Sequence, residues 1–148
     1  MLPRWHIVSG AILALVLYLA VPGIRPLYLC LVFLSTFLID FDHYMCAVKN
    51  TGNLSLFNAL EYHEQQHKEH KEHEKKGIKI KGDFHIFHTI EFHILVGLLS
   101  FLWIGFFYVF MGMMLHSILD IVNMTHDNAL HRREFFFFHW INKIIFVY

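Results

Sequence analysis

The chain has 148 residues, 56% of them hydrophobic, with 16 phenylalanines and a mean hydropathy of +0.45. Lys plus Arg and Asp plus Glu balance at 12 each, so no net charge draws the chain towards nucleic acid, and a single domain over 1–148 is the natural count. The two cysteines, Cys30 and Cys46, form no CxxC, so the sequence signals neither a disulfide framework nor a thiolate zinc site.

The first apolar run, "IVSGAILALVLYLAV" (7–21), follows Arg4 and has the outline of a signal peptide. No small-residue cleavage site follows it, and a second run, "LYLCLVFLSTFLI" (27–39), comes almost at once, so it reads as a retained membrane segment. Pro22, Gly23 and Pro26 between the two runs predict a tight helical hairpin. From His6 to the turn, and from the turn to Asp40, the arms are each about 24–26 Å at helical rise, which returns Asp40 to the level of His6.

The segment 44–83 breaks with this pattern. It contains "EYHEQQHKEHKEHEKK" (61–76), in which His63-Glu64-Gln65-Gln66-His67 matches the H-E-x-x-H spacing of zinc metalloproteases. No apolar stripe accompanies it, and Lys68 and Glu69 follow the second histidine directly. The expectation is a solvated helix or mobile loop, with His63, His67, His70 and His73 at most a loose metal-collecting stripe. Seven of the twelve basic residues lie between Lys49 and Lys81, so the positive-inside rule puts this loop and the amino terminus on the cytoplasmic side of an inner, multi-pass membrane protein. Arg25, at the hairpin tip, is the exception.

The third run, 94–115, is the only one comfortably long for a single span. As one straight helix it would separate His93 from His116 by about 35 Å. A reversal near Gly105 makes two matching arms and brings the two histidines to one level. The tail "EFFFFHWINKIIFVY" (134–148), with its four consecutive phenylalanines, Trp140 and Tyr148, suits a segment lying in the membrane interface or a last buried helix. The fold expected is all-α: an integral membrane bundle of about four helices in two short hairpins, with an interfacial carboxy-terminal segment.

Ionisable groups at or inside membrane helices are costly, at about 2.5–3.5 kcal/mol each for central Asp or Lys, and so point to function. His6, then Asp40, Asp42 and His43 ("DFDHY"), then His88 and His93 ("HIFHTIEFH"), then His116 and Asp120 ("HSILD") converge at one end of the bundle. Each alone has an ordinary reading, such as a helix cap for Asp40 or a buried hydrogen bond for His116. As a set they form a ligand pool of imidazole and carboxylate without thiolate, suited to Zn²⁺, Mn²⁺ or Fe, with carboxylates able to bridge two or more ions. Glu91 and Asp42 are the candidate catalytic carboxylates.

These motifs, in order, resemble the inner-membrane-associated predicted metal-dependent hydrolases of the YdjM type, whose pattern reads PDxDH, HRGxTHS and HLLLD. This chain has "IDFDH" (39–43), "HTIEFH" (88–93) and "HSILD" (116–120); Ile39 stands for the family's Pro, and Thr89, Ile90, Phe92 and Ile94 for its Arg, Gly, Thr and Ser. The resemblance implies a distant kinship with zinc-dependent phospholipase C and single-strand-specific nucleases, all-helical enzymes with His/Asp zinc clusters. Their amino-terminal Trp ligand has no equivalent, since Trp5 is not terminal. The function expected is a membrane-embedded metal-dependent hydrolase acting on a phosphate ester of a lipid or amphipathic substrate, with the bilayer as partner, no nucleic acid, and no oligomeric state assigned. Non-enzymatic divalent-metal binding or transport, and an HExxH-type protease, are the alternatives.

Overall fold

The computed structural model describes residues 3–146; Tyr148, assigned above to the tail, lies outside the described residues. These residues form seven α-helices with two 3₁₀ turns and no strand: α1 (Pro3–Ala20), α2 (Pro26–Leu38), α3 (Phe41–Thr51), α4 (Leu56–Lys75), α5 (Ile90–Leu99), α6 (Gly105–His126) and α7 (Phe137–Phe146), the turns being Ile86–His88 and Leu130–Arg132.

The first hairpin forms where Pro26 takes the first helical position of α2. Helix α2 then packs against both α1 and α6. Both contacts rest on glycine. A Cβ on Gly10 would strike the Thr36 side chain, and one on Gly112 would strike Ser35 and the Val32 carbonyl. Close approach through small residues is how helices associate when no hydrophobic force separates helix from surroundings. The Ser35 and Thr36 hydroxyls donate to the Val32 and Phe33 carbonyls at 3.0 and 2.6 Å, so neither leaves an unmet polar group in the packed face.

The reversal expected near Gly105 is present. Thr89 caps α5 by accepting from Phe92 N at 3.3 Å, the chain turns over 100–104, and α6 starts at Gly105. His93 and His116 return to one level, with Ser117 Oγ 2.8 Å from His93 Nε2. The arms are unequal overall, because α5 has 10 residues and α6 continues to 22, carrying Asp120 beyond the end of its partner.

Segment 44–83 is mainly helical. After a break at Ile39 and Asp40, α3 runs to Thr51 with Gly52 as its C-cap, and α4 follows with 20 residues. Its Glu, Gln and Lys residues are good helix formers, and Glu64 pairs with Lys68 one turn on at 2.7 Å. In place of an apolar stripe it is anchored by polar bonds: Tyr62 and Gln66 donate to Asp83 at 2.8 and 2.9 Å. Burial pushes the Tyr62 hydroxyl up to about 12, aided by the Asp83 carboxylate. Helix α7 docks through Trp140, stacked on Phe84 at 4.0 Å. Its Phe138, Ile144, Ile145 and Phe146 stay exposed, so one face is packed and the other presented outward.

The core is small: Ile39, Val96 and Met113, bordered by aromatic residues including Phe87, Phe92 and Phe110. Much apolar surface faces out, up to 86% exposure at Phe101 and 82% at Leu102 on the second hairpin tip. Two helical stretches, Pro26–Thr51 and Gly105–His126, are long and apolar enough to cross a membrane; Arg4–Ala20 and Ile90–Leu99 are shorter apolar helices.

Candidate metal centre

Four separate pieces of chain deliver side chains to one buried point. His6 comes from the first turn of α1, Asp40 from the break before α3, His88 from the 3₁₀ turn before α5, and His116 with Asp120 from one face of α6. His88 and His116 have no exposed side-chain surface. Their Nε2 atoms lie 3.1 Å apart, and Asp40 Oδ1 is 3.4 Å from each. Asp120 extends the group, with Oδ2 3.4 Å from His116 Nε2 and Oδ1 3.3 Å from His6 Nε2. Zn–N and Zn–O bonds of about 2.0–2.2 Å in a tetrahedron set neighbouring donors roughly 3.3–3.5 Å apart. The donor set fits.

The outer nitrogens fix which way the lone pairs point. His116 Nδ1 donates to the Thr36 carbonyl at 2.8 Å, and His88 Nδ1 donates to Asp42 Oδ2 at 3.1 Å. Asp42 Oδ2 is itself held by the Phe87 backbone N–H at 2.9 Å. In each ring the Nε2 lone pair is then turned inwards, the arrangement in which histidine ligates metal with its other N–H on a carbonyl or carboxylate. Two such lone pairs 3.1 Å apart repel unless a cation lies between them. A proton can fill that role without metal: burial opposes charge on His88, but hydrogen bonds to Asp40 and Asp42 prevail and raise its pKa. Arg133 donates to Asp120 Oδ2 at 2.6 Å and braces that carboxylate from outside.

Next to this group, Asp42, His43 and His85 offer donor atoms all within 4.8 Å of one another. The His43 and His85 ring centroids lie 3.7 Å apart with the planes tilted by 31°. Burial pushes His85 down to about 4, so its imidazole is neutral near pH 7. His63, the first histidine of HEQQH, donates from Nε2 to the His43 carbonyl at 3.0 Å.

The sequence-derived pool therefore divides. His6, Asp40, His88, His116 and Asp120 meet, and Asp42 and His43 stand beside them. His93 is apart: Nδ1 donates to the Thr89 carbonyl at 2.9 Å, Nε2 accepts from Ser117, and no metal is needed to satisfy it. Glu91 accepts from the Phe137 and Phe138 N–H groups at 2.9 and 3.3 Å, so its carboxylate caps α7 away from the donor set. Sequence reasoning passed over three contributors. His85 belongs to the same "HIFH" stretch as His88. Arg133 reads only as a flanking charge. The Thr36 carbonyl carries no side-chain signal at all.

No protein-family model, curated protein or solved structure matches this chain. The described residues are all-helical, with two stretches able to cross a membrane and His/Asp groups able to hold a metal ion.

Proposed function

We propose that this chain is a membrane-embedded metal-dependent hydrolase that cleaves a phosphate ester of a lipid or amphipathic substrate. One observation carries the reading: the triangle of Asp40 Oδ1, His88 Nε2 and His116 Nε2, with both histidines' outer nitrogens engaged behind it. A divalent metal held there would supply a Lewis acid that acidifies water and polarises a phosphoryl oxygen. Around it, Asp42 and the Thr36 carbonyl hold the imidazoles in one tautomer, and Arg133 holds the Asp120 carboxylate in place. The exposed apolar faces of α1, α2, α5 and α6 support burial in lipid, and the resemblance to YdjM-type hydrolases supports phosphate-ester chemistry. Zinc is the first choice of ion for a nitrogen-rich set without thiolate, with manganese or iron as alternatives.

Two rival readings are weaker. A metal transporter needs a polar path, but Ser9, Ser35, Thr36 and Ser100 each bond a carbonyl of their own helix. A zincin needs Glu64 at its metal, but Glu64 pairs with Lys68 on an exposed surface. The test is phosphate release from a lipid phosphate by detergent-purified protein, stripped with chelator and reloaded with Zn²⁺ or Mn²⁺, with casein as the protease control. Release should require metal, disappear in Asp40→Asn and persist in Glu64→Gln. Metal-loaded protein that releases no phosphate, or release untouched by Asp40→Asn, contradicts the proposal.

A further inference from the structure

We infer that the protein binds a second transition-metal ion, held by Asp42, His43 and His85 at the inner end of a cavity under helix α4. Asp42 Oδ1 and His85 Nδ1 face each other at 3.9 Å. Both atoms are buried, and neither finds a hydrogen-bond partner among the described residues. The separation is too long for a hydrogen bond, which for N–H to O is about 2.7–3.2 Å. A buried polar atom left without a partner is costly, more so for a charged group, so two facing each other signal a missing occupant. The third donor is in place, because the His43 ring lies against that of His85 and its donor atom falls within the same 4.8 Å group. An ion with bonds of about 2.1 Å spans donors up to about 4.2 Å apart, and a nitrogen-and-carboxylate set selects Zn²⁺, Mn²⁺ or Fe²⁺ over magnesium or calcium.

The surroundings differ from those of the first centre in one useful respect. His88 and His116 are sealed from solvent. His43 and His85 instead line a cavity that His63, His67 and His70 of α4 also wall. His70 is nearly fully buried, with Nδ1 donating to the Gln66 carbonyl at 2.7 Å and Nε2 without a hydrogen-bond partner among the described residues. The second ion is therefore the one with room for water and substrate. The HEQQH histidine His63 meets it indirectly, by holding the His43 carbonyl. Asp42 joins the two centres, its Oδ1 serving the second ion and its Oδ2 the His88 ring of the first.

The site deepens the hydrolase reading, but its occupancy is measurable apart from any activity. Detergent-purified wild type, His85→Ala, His85→Gln and His116→Ala are stripped, reloaded with excess Zn²⁺, desalted and analysed for metal per chain. Circular dichroism and size-exclusion profiles establish folding, and His85→Gln retains side-chain volume should the alanine variant fail. Wild type should hold two ions, each His85 variant one, and His116→Ala one. Co²⁺ reloading should show the wild-type visible spectrum losing one component in His85→Gln and the other in His116→Ala. One ion that survives both His85 variants and vanishes in His116→Ala overturns this inference and leaves the first centre standing. One ion lost only in the His85 variants supports the inference and overturns the first centre.

Discussion

Two imidazoles aimed at each other across 3.1 Å are the most informative feature of the chain at the scale of single residues. Their orientation depends on Asp42 and the Thr36 carbonyl, so Asp42→Asn, which keeps the shape and removes the charge, should weaken metal binding about 10–100-fold by competition titration with a chromophoric chelator. The same geometry fixes a pH dependence. His88 has a raised pKa without metal, so its proton stabilises the metal-free fold in acid, and that contribution is lost as pH rises through the raised value. Metal must displace this proton, so zinc affinity should fall about tenfold per pH unit for one displaced proton once pH is below the His88 pKa. A flat affinity across that range contradicts a ligand role for His88. Much of the donor set is legible in sequence, because His6, Asp40, His116 and Asp120 are ionisable groups stranded beside apolar runs. His93 looked equivalent to them by the same criterion. Its satisfaction by Ser117 and the Thr89 carbonyl depends on a rotamer and a helix cap, which spacing does not encode.

Among the elements, the contact between α2 and α6 controls the site. Gly112 meets Ser35 and the Val32 carbonyl one turn before His116, whose Nδ1 is bonded across the same contact to Thr36. Gly112→Val should therefore push the helices apart, costing about 1–3 kcal/mol in stability and lowering zinc affinity at the same time. Thermal unfolding with and without zinc measures both; a variant as stable and as zinc-stabilised as wild type contradicts this coupling. Helix α4 shows where sequence reading runs out. Its polar composition has no apolar stripe because it docks through Tyr62 and Gln66 on Asp83, long-range bonds invisible to periodicity. The α5–α6 reversal was readable for the opposite reason, since only a turn near Gly105 returns His93 and His116 to one level.

For the molecule as a whole, the membrane location proposed above sets a depth for each hairpin tip. From Asp40 to the start of α2 at Pro26 is about 21 Å of helix, and from His116 to Gly105 about 17 Å. Both fall short of the roughly 30 Å hydrocarbon core. In the membrane location proposed above, Arg25 would extend its side chain from the first tip to the far headgroups, whereas Phe101 and Leu102 would give the second tip no such anchor. In a cysteine-free background, single cysteines at 86 and 118 should label from the same side, one at 25 from the opposite side, and one at 102 from neither. Aqueous labelling at 102 contradicts the proposed embedding of the second hairpin. If elements distant in sequence fold to make a metal centre, metal content reports it. Zinc per chain should stay at the wild-type value in His93→Ala, whose ring is already satisfied, and fall by one ion in His116→Ala. Equal metal content in the wild type and His116→Ala, or a loss in His93→Ala alone, would rule out a centre built on His116.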